Sequence, residues 1–231
     1  MRHFNEILTI AEERHSGLAA VEARIPPVKT RRELAGITGD RWLSDITKNV
    51  FRAGFSRKVI NDRWDGFEAA FKGFDLHKCA SMGDDWLDEL LKDTRIVRNG
   101  ARIQSVQRNA VFILEEMENH GSFGVFLSGH GPHDFATLMM TLHKKGDRLG
   151  DKTAQYFLRE AGVDAYVLTF DVIKRLSLEG IADKVPSSKM QRQKVQDAFD
   201  IWVDQSGKNL TYVSRVLAMS VNSDKVVKYQ V

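Results

Sequence analysis

The strongest constraint on the fold of this chain is a pair of amphipathic segments on either side of a glycine-rich bend. On each side, four apolar residues fall at i, i+3, i+4 and i+7, the spacing of one face of an α-helix. They are Phe135, Leu138, Met139 and Leu142 before the bend and Ala154, Phe157, Leu158 and Ala161 after it. The spacing predicts two helices, each with one buried face, joined by a tight hairpin.

The bend between these helices combines glycines with basic side chains. Glycines allow a positive φ and a close approach of the backbone to a ligand, while cations and backbone N–H groups attract phosphate. We therefore predict a phosphate-binding surface made by Lys144, Lys145, Gly146, Arg148, Gly150, Lys152 and Thr153. The alternative is a solvated run of charges, since cations also favour the C-terminal end of a helix dipole.

Helical spacing recurs along most of the remaining chain. Only the run AYVLTF at 165–170 has strand-like composition, and one such run makes no sheet. The stretch from His15 to Gly39 is polar and looks irregular, as expected of a linker or a wrapping arm. We predict an all-α fold of two helical lobes with a cleft between them. Lobe A, about 43–131, is inserted between 1–42 and 132–231, which form lobe B with the helix-hairpin-helix at 134–162, and a lysine-containing tail is expected to fray.

Composition narrows the class of protein. With 231 residues, 42% of them hydrophobic, the chain can bury a core as one domain or two small lobes. A pI near 8.9 with a net charge of only +3 suggests a local basic face. The single cysteine, Cys79, excludes an internal disulfide and any Cys-rich zinc or iron–sulfur site. No signal-like or membrane-spanning apolar run is apparent, so we expect a soluble, cytoplasmic protein. We also expect a monomer that holds no metal or cofactor.

One spacing in the sequence is more specific than the glycines alone. The segment Gly150-Asp151-Lys152-Thr153-Ala154 opens the second helix, and Asp171 follows roughly twenty residues later. This arrangement resembles the helix-hairpin-helix DNA glycosylase superfamily. The resemblance implies a double-stranded DNA partner and assigns Asp171 as the catalytic carboxylate that stabilises an oxocarbenium-like sugar and activates water. Judged without the resemblance, Asp171 could instead be the N-cap of a helix at 172–179.

A second resemblance covers residues 41–110. The segments 51–56, 67–71 and 93–99 are similar to the DNA-3-methyladenine glycosylase I branch of the superfamily. That branch implies an apolar wedge at Phe55 and a base pocket that includes Asn49 and Arg57, where the branch has Glu and Trp. We add Trp42 as a candidate stacking face for an extruded base, with a place in the core as the alternative. The branch also holds a structural zinc with Cys and His near its two ends, but this chain has no cysteine there.

The resemblances lead to one expected function and two alternatives. We expect a base-excision repair glycosylase that hydrolyses the N-glycosidic bond of a flipped damaged base, with an alkylated purine such as 3-methyladenine as the substrate. One alternative is a helix-hairpin-helix protein that binds DNA without catalysis. The other is a bifunctional glycosylase/AP lyase in which the amine of Lys152 attacks the sugar and forms a Schiff base.

Overall fold

The computed structural model describes residues 1–222, and within them the regular structure is entirely helical. There are no strands in this part of the chain, which confirms the predicted all-α class. Two short 3₁₀ turns, at Lys72–Phe74 and Pro132–Asp134, accompany the α-helices. The α-helices are α1 (Phe4–His15), α2 (Leu18–Glu22), α3 (Arg31–Ala35), α4 (Gly39–Arg52), α5 (Arg57–Asp62), α6 (Trp64–Ala70), α7 (Leu76–Ala80), α8 (Asp84–Lys92), α9 (Gly100–His120), α10 (Phe123–Ser128), α11 (Phe135–Lys145), α12 (Asp151–Ala161), α13 (Phe170–Leu178), α14 (Lys189–Ser206) and α15 (Leu210–Met219).

The helices group into two compact units. Within the described residues, unit 1 comprises 1–28, 131–136 and 164–222, and unit 2 comprises 29–130 and 137–163. Most of the predicted hairpin pair therefore falls in unit 2. The predicted division into lobes A and B stays a prediction.

Unit 2 is built around α4 and α9. Helix α4 buries its apolar face, including Leu43, Ile46 and Val50, and it packs against both α9 and α12. Helix α9 is the longest helix in the described chain, and α7, α8 and α10 also pack against it. The crossing of α10 over α3 is close because Gly124 has no side chain, and a Cβ there would lie 1.9 Å from the carbonyl oxygen of Leu34.

A carboxylate on α6 ties that helix to α4. Both oxygens of Glu68 accept hydrogen bonds from the Arg41 guanidinium, at 2.8 and 3.0 Å. The hydroxyl of Ser44 and the indole of Trp64 also donate to this carboxylate, at 2.8 and 3.1 Å. Burial alone would raise the pKa of Glu68, but these hydrogen bonds and the charge of Arg41 outweigh it and hold the pKa below its ordinary value.

Unit 1 is organised around α15, against which α1, α13 and α14 pack. The strand-like run at 165–170 lies beside α15, and two side chains of that helix bind its backbone. The N–H of Ala165 donates to the hydroxyl of Thr211 at 3.2 Å, and the N–H of Val167 donates to the hydroxyl of Ser214 at 3.1 Å. Hydroxyl groups therefore satisfy N–H groups that would otherwise need a neighbouring strand.

The stretch from His15 to Gly39 is more regular than predicted. It contains α2 and α3, so the expectation of an irregular arm was wrong. Helix α3 is nucleated by a capping box: the Thr30 hydroxyl accepts from the N–H of Glu33 at 3.2 Å, and the Glu33 carboxylate accepts from the N–H of Thr30 at 2.7 Å. The predicted frayed tail lies outside the described residues. Across residues 1–222, none of the helices has the length and apolar character needed to cross a bilayer.

Candidate functional site

The predicted hairpin is present in unit 2, between α11 and α12. The prediction relied on the glycines of the bend to supply its positive φ, and this part of the prediction was wrong. The residue with positive φ is Arg148, at 61°, and neither glycine of the bend has one. Gly146 is needed for close packing instead, because a Cβ there would lie 2.8 Å from the carbonyl oxygen of Leu142 and 2.5 Å from Cδ1 of Leu149.

Helix α9 holds the tip of this hairpin through one buried amide. Nδ2 of Asn109 donates to the backbone carbonyl of Asp147 at 3.0 Å, and Oδ1 of Asn109 accepts from the backbone N–H of Asp147 at 2.8 Å. Arg108 adds an ion pair with the Asp147 carboxylate at 2.7 Å. Asn109 is fully buried, so both hydrogen bonds are shielded from water. These residues fix the backbone of the bend, and the sequence pattern did not indicate them.

The basic side chains of the hairpin have different surroundings. Lys145 forms an ion pair with the buried carboxylate of Glu116 on α9, and this hydrogen bond raises the pKa of Lys145. Arg148 donates from Nε to the carbonyl of Ala101 at 3.1 Å. Lys144 and Lys152 are exposed. Lys145 and Arg148 therefore brace the bend against α9, and the DNA contacts assigned to the hairpin remain predictions.

Beside the start of α12 lies a pocket of about 340 Å³. It is formed by the end of α4, the loop that follows it, the start of α5 and the first turns of α12. The lining residues are Asn49, Arg52, Ala53, Gly54, Phe55, Arg57, Lys152, Thr153 and Tyr156. The structure thus brings together five residues that the sequence singled out separately: Asn49, Phe55, Arg57, Lys152 and Thr153.

Two arginines of this pocket share one carboxylate. Nη1 of Arg52 lies 2.6 Å from one oxygen of Glu160, and Nη2 of Arg57 lies 2.9 Å from the other. The Arg57 guanidinium also lies over the ring of Tyr156, 5.3 Å from its centroid. Tyr156 and Glu160 were missed by sequence analysis, although their i, i+4 spacing puts them on one face of α12.

The predicted wedge, Phe55, lies on the loop between α4 and α5 and is 41% exposed. Arg102 holds this loop from α9. Its Nη1 donates to the carbonyl of Phe51 at 2.9 Å, its Nη2 donates to the carbonyl of Ala53, and its guanidinium lies 4.7 Å from the centre of the Phe55 ring. The side chain of Phe55 is therefore presented on a braced loop rather than packed into the core.

The other two base-pocket candidates, Trp42 and Asn49, are buried residues of α4. Trp42 does not line the pocket: it is fully buried, with edge-on contacts to Phe123 and Phe157. It belongs to the core, so the predicted stacking face is not at this residue. Asn49 does line the pocket, and its Nδ2 donates back along the helix to the carbonyl of Asp45 at 3.1 Å.

Asp171 lies in unit 1, in the first turn of α13. The N-cap of this helix is Thr169, whose hydroxyl accepts from the N–H of Val172 at 3.2 Å. The alternative role of Asp171 as the N-cap is therefore wrong. Asp171 is half-buried, and its place in the first turn puts it at the positive end of the α13 helix dipole.

The structural zinc implied by the second resemblance does not fit this chain. Cys79 is buried in unit 2, where its thiol donates to the carbonyl of Phe71 at 3.6 Å. Burial raises the pKa of Cys79 to about 12, which opposes the thiolate form that zinc requires. Among the residues described, no three His, Cys, Asp or Glu side chains are arranged to hold a metal ion.

Comparison with known proteins confirms the predicted resemblance to helix-hairpin-helix DNA glycosylases. The methyladenine glycosylase family model matches residues 41–147. The fold is similar to that of 3-methyladenine DNA glycosylase I (TAG), at 21% identity over 62% of this chain and 86% of that protein, with a TM-score of 0.50. It is likewise similar to the Staphylococcus aureus 3-methyladenine DNA glycosylase I, at 20% identity over 69% of this chain and 95% of that protein, with a TM-score of 0.50.

A third similar structure aligns with most of the chain. It is the Methanocaldococcus jannaschii 8-oxoguanine glycosylase/lyase in complex with a 15mer DNA containing 8-oxoguanine. The identity is 12% over 92% of this chain and 95% of that protein, and the TM-score is 0.50. At such identities the likeness concerns the fold, which this chain shares with both kinds of glycosylase.

Proposed function

We propose that this helix-hairpin-helix protein is a DNA glycosylase of base-excision repair, which hydrolyses the N-glycosidic bond of an alkylated purine. The observation that carries the proposal is the pocket beside the hairpin, in which the predicted wedge loop and the first turn of α12 meet. Its volume of about 340 Å³ is in the range of small-ligand sites. A base extruded from double-stranded DNA would enter it while Phe55 fills the gap in the duplex.

In the proposed reaction, a water oxygen bonds to C1′ of the sugar as the C1′–N bond breaks. The electron pair of that bond moves to the base. The proton lost by the water is taken up by the departing nitrogen where the base is neutral, and it is released to solvent where the base is cationic and departs as a neutral molecule. Positive charge develops on the sugar in the transition state, where a fixed carboxylate stabilises it. We assign this role to Asp171, which would also accept the proton of the attacking water.

Screening for base release tests this proposal. Duplexes that each carry one modified purine are incubated with the protein, and abasic sites are revealed by strand cleavage in alkali. We expect cleavage at one or more alkylated purines and none at the unmodified duplex. If no modified duplex is cleaved while all are bound, the chain is a DNA-binding protein without glycosylase activity.

A bifunctional glycosylase/lyase is the second candidate, and the position of Lys152 favours it. Lys152 lines the pocket, and its amine would attack C1′ in place of water. Treatment of the reaction with borohydride would then trap a covalent complex with DNA, which Lys152→Gln would abolish. A complex that persists in Lys152→Gln excludes this lysine as the nucleophile.

A further inference from the structure

The pocket beside the hairpin is lined by three cations, Arg52, Arg57 and Lys152, and by no carboxylate. Glu160 is not among the lining residues, but it pairs with both arginines. Among the lining residues and the carboxylate paired with them, three positive charges and one negative charge leave an excess of two positive charges. A cationic ligand would therefore enter an unfavourable potential.

Hydrogen-bond donors also outnumber acceptors among the side chains of the lining. Arginine and lysine side chains only donate, so the polar groups of Arg52, Arg57 and Lys152 all require acceptors. Nε of Arg52 is buried and has no hydrogen-bond partner within residues 1–222. The amide of Asn49 uses one N–H of Nδ2 within α4, and it can otherwise donate or accept, as can the hydroxyls of Thr153 and Tyr156. A ligand whose edge carries carbonyl, ether or ring-nitrogen acceptors matches this lining.

We infer that the pocket selects an uncharged damaged base with acceptor atoms on its edge, against the cationic N-methylated purines, and that Arg57 is a main determinant of this choice. The inference rests on the proposed glycosylase function and narrows its substrate. Within the alkylated purines it favours neutral members, such as O6-alkylguanine and etheno-adenine, over 3-methyladenine.

The chemistry of the leaving group supports the same choice. Both kinds of base depart with the bonding electron pair. A cationic base thereby becomes neutral and needs little help, whereas a neutral base develops negative charge. Cations fixed around the base stabilise that charge mainly in the transition state. The guanidinium of Arg57 is held in place for this role by Glu160 and by the Tyr156 ring.

The test compares two guanine lesions that each carry one added methyl group, in otherwise identical duplexes: N7-methylguanine, which is cationic, and O6-methylguanine, which is neutral. Base release is measured under single-turnover conditions, with 1,N6-ethenoadenine as a second neutral probe. One charge at about 6 Å changes an interaction on the order of tenfold at an intermediate effective dielectric. Arg57→Gln should therefore shift the ratio of neutral to cationic release about tenfold towards the cationic base. Dividing the release ratio of the variant by that of the wild type removes the intrinsic difference in reactivity between the two leaving groups.

Lys58→Gln is the matched control, because it removes one positive charge from the next residue of α5. Lys58 lies outside the pocket, pairs with Asp62 and has a side chain that is 81% exposed. Its substitution should leave the ratio unchanged. An Arg57→Gln variant that slows both lesions equally would show that Arg57 contacts phosphate, and this would overturn the inference while the proposed function stands. Release of N7-methylguanine alone by the wild type would also overturn it. Release of no modified base at all would overturn the proposed function as well.

Discussion

The buried amide of Asn109 offers a direct test of how the hairpin is held. Asn109→Ala removes both hydrogen bonds to the backbone of Asp147, at 3.0 and 2.8 Å, and leaves a backbone N–H and a carbonyl without these partners. A net loss of about 1 kcal/mol for each bond, plus part of the desolvation cost of the stranded groups, gives about 2–3 kcal/mol. For a chain of this size that corresponds to a decrease in Tm of about 4–12 °C.

Thermal unfolding followed by circular dichroism measures this decrease, and fluorescence anisotropy measures the affinity for an abasic-site duplex. Because the bend loses its support on α9, we expect weaker DNA binding together with the lower Tm. Asn119→Ala is the matched control, since Asn119 is an exposed asparagine on the same helix. If Asn109→Ala unfolds at the same temperature as Asn119→Ala, the hairpin does not depend on this clamp and the reasoning fails.

Two further predictions concern the packing of unit 2. Glu68→Gln should cost about 1–2 kcal/mol at neutral pH, discounted for the partial exposure of Arg41. Because the pKa of Glu68 is lower in the folded than in the unfolded chain, its stabilisation is full above the ordinary value of 4.5 and is lost as the pH falls through the lowered pKa. Urea unfolding of the two proteins should therefore converge in acid, and a constant difference would contradict the sign. Gly124→Ala should cost about 3 kcal/mol, since its Cβ would lie 1.9 Å from the carbonyl oxygen of Leu34. Gly131→Ala, where a Cβ meets nothing within 4 Å, should be nearly neutral in the same assay.

The longer amphipathic helices were predictable because each carries its own evidence in the sequence. A helix with one buried face repeats its apolar residues about every 3.6 positions, and this period can be read without knowing what covers the face. Helices α4, α9, α11 and α12 could therefore be predicted without tertiary information. The capping box of Thr30 and Glu33 is also present in the sequence, so the start of α3 was predictable from it.

The polar supports of the site were not predictable in the same way. Asn109 and Asp147 are 38 residues apart, and nothing in either local sequence indicates that one amide will pair with the other backbone. The same holds for Arg52, Arg57 and Glu160, which meet only after α4, α5 and α12 have packed. Trp42 was assigned to the base pocket but lies in the core. The sequence could not separate these two roles, because an aromatic residue suited to stacking on a base is equally suited to a helical core.

The most direct test of the central claim is the single-turnover rate of base release by Asp171→Asn. The substitution is nearly isosteric and removes only the charge and basicity of the carboxylate. We predict a rate lower on the order of 100-fold or more, with unchanged affinity for an abasic-site duplex. Release at the wild-type rate by a correctly folded Asp171→Asn protein would contradict the assignment of this carboxylate to catalysis.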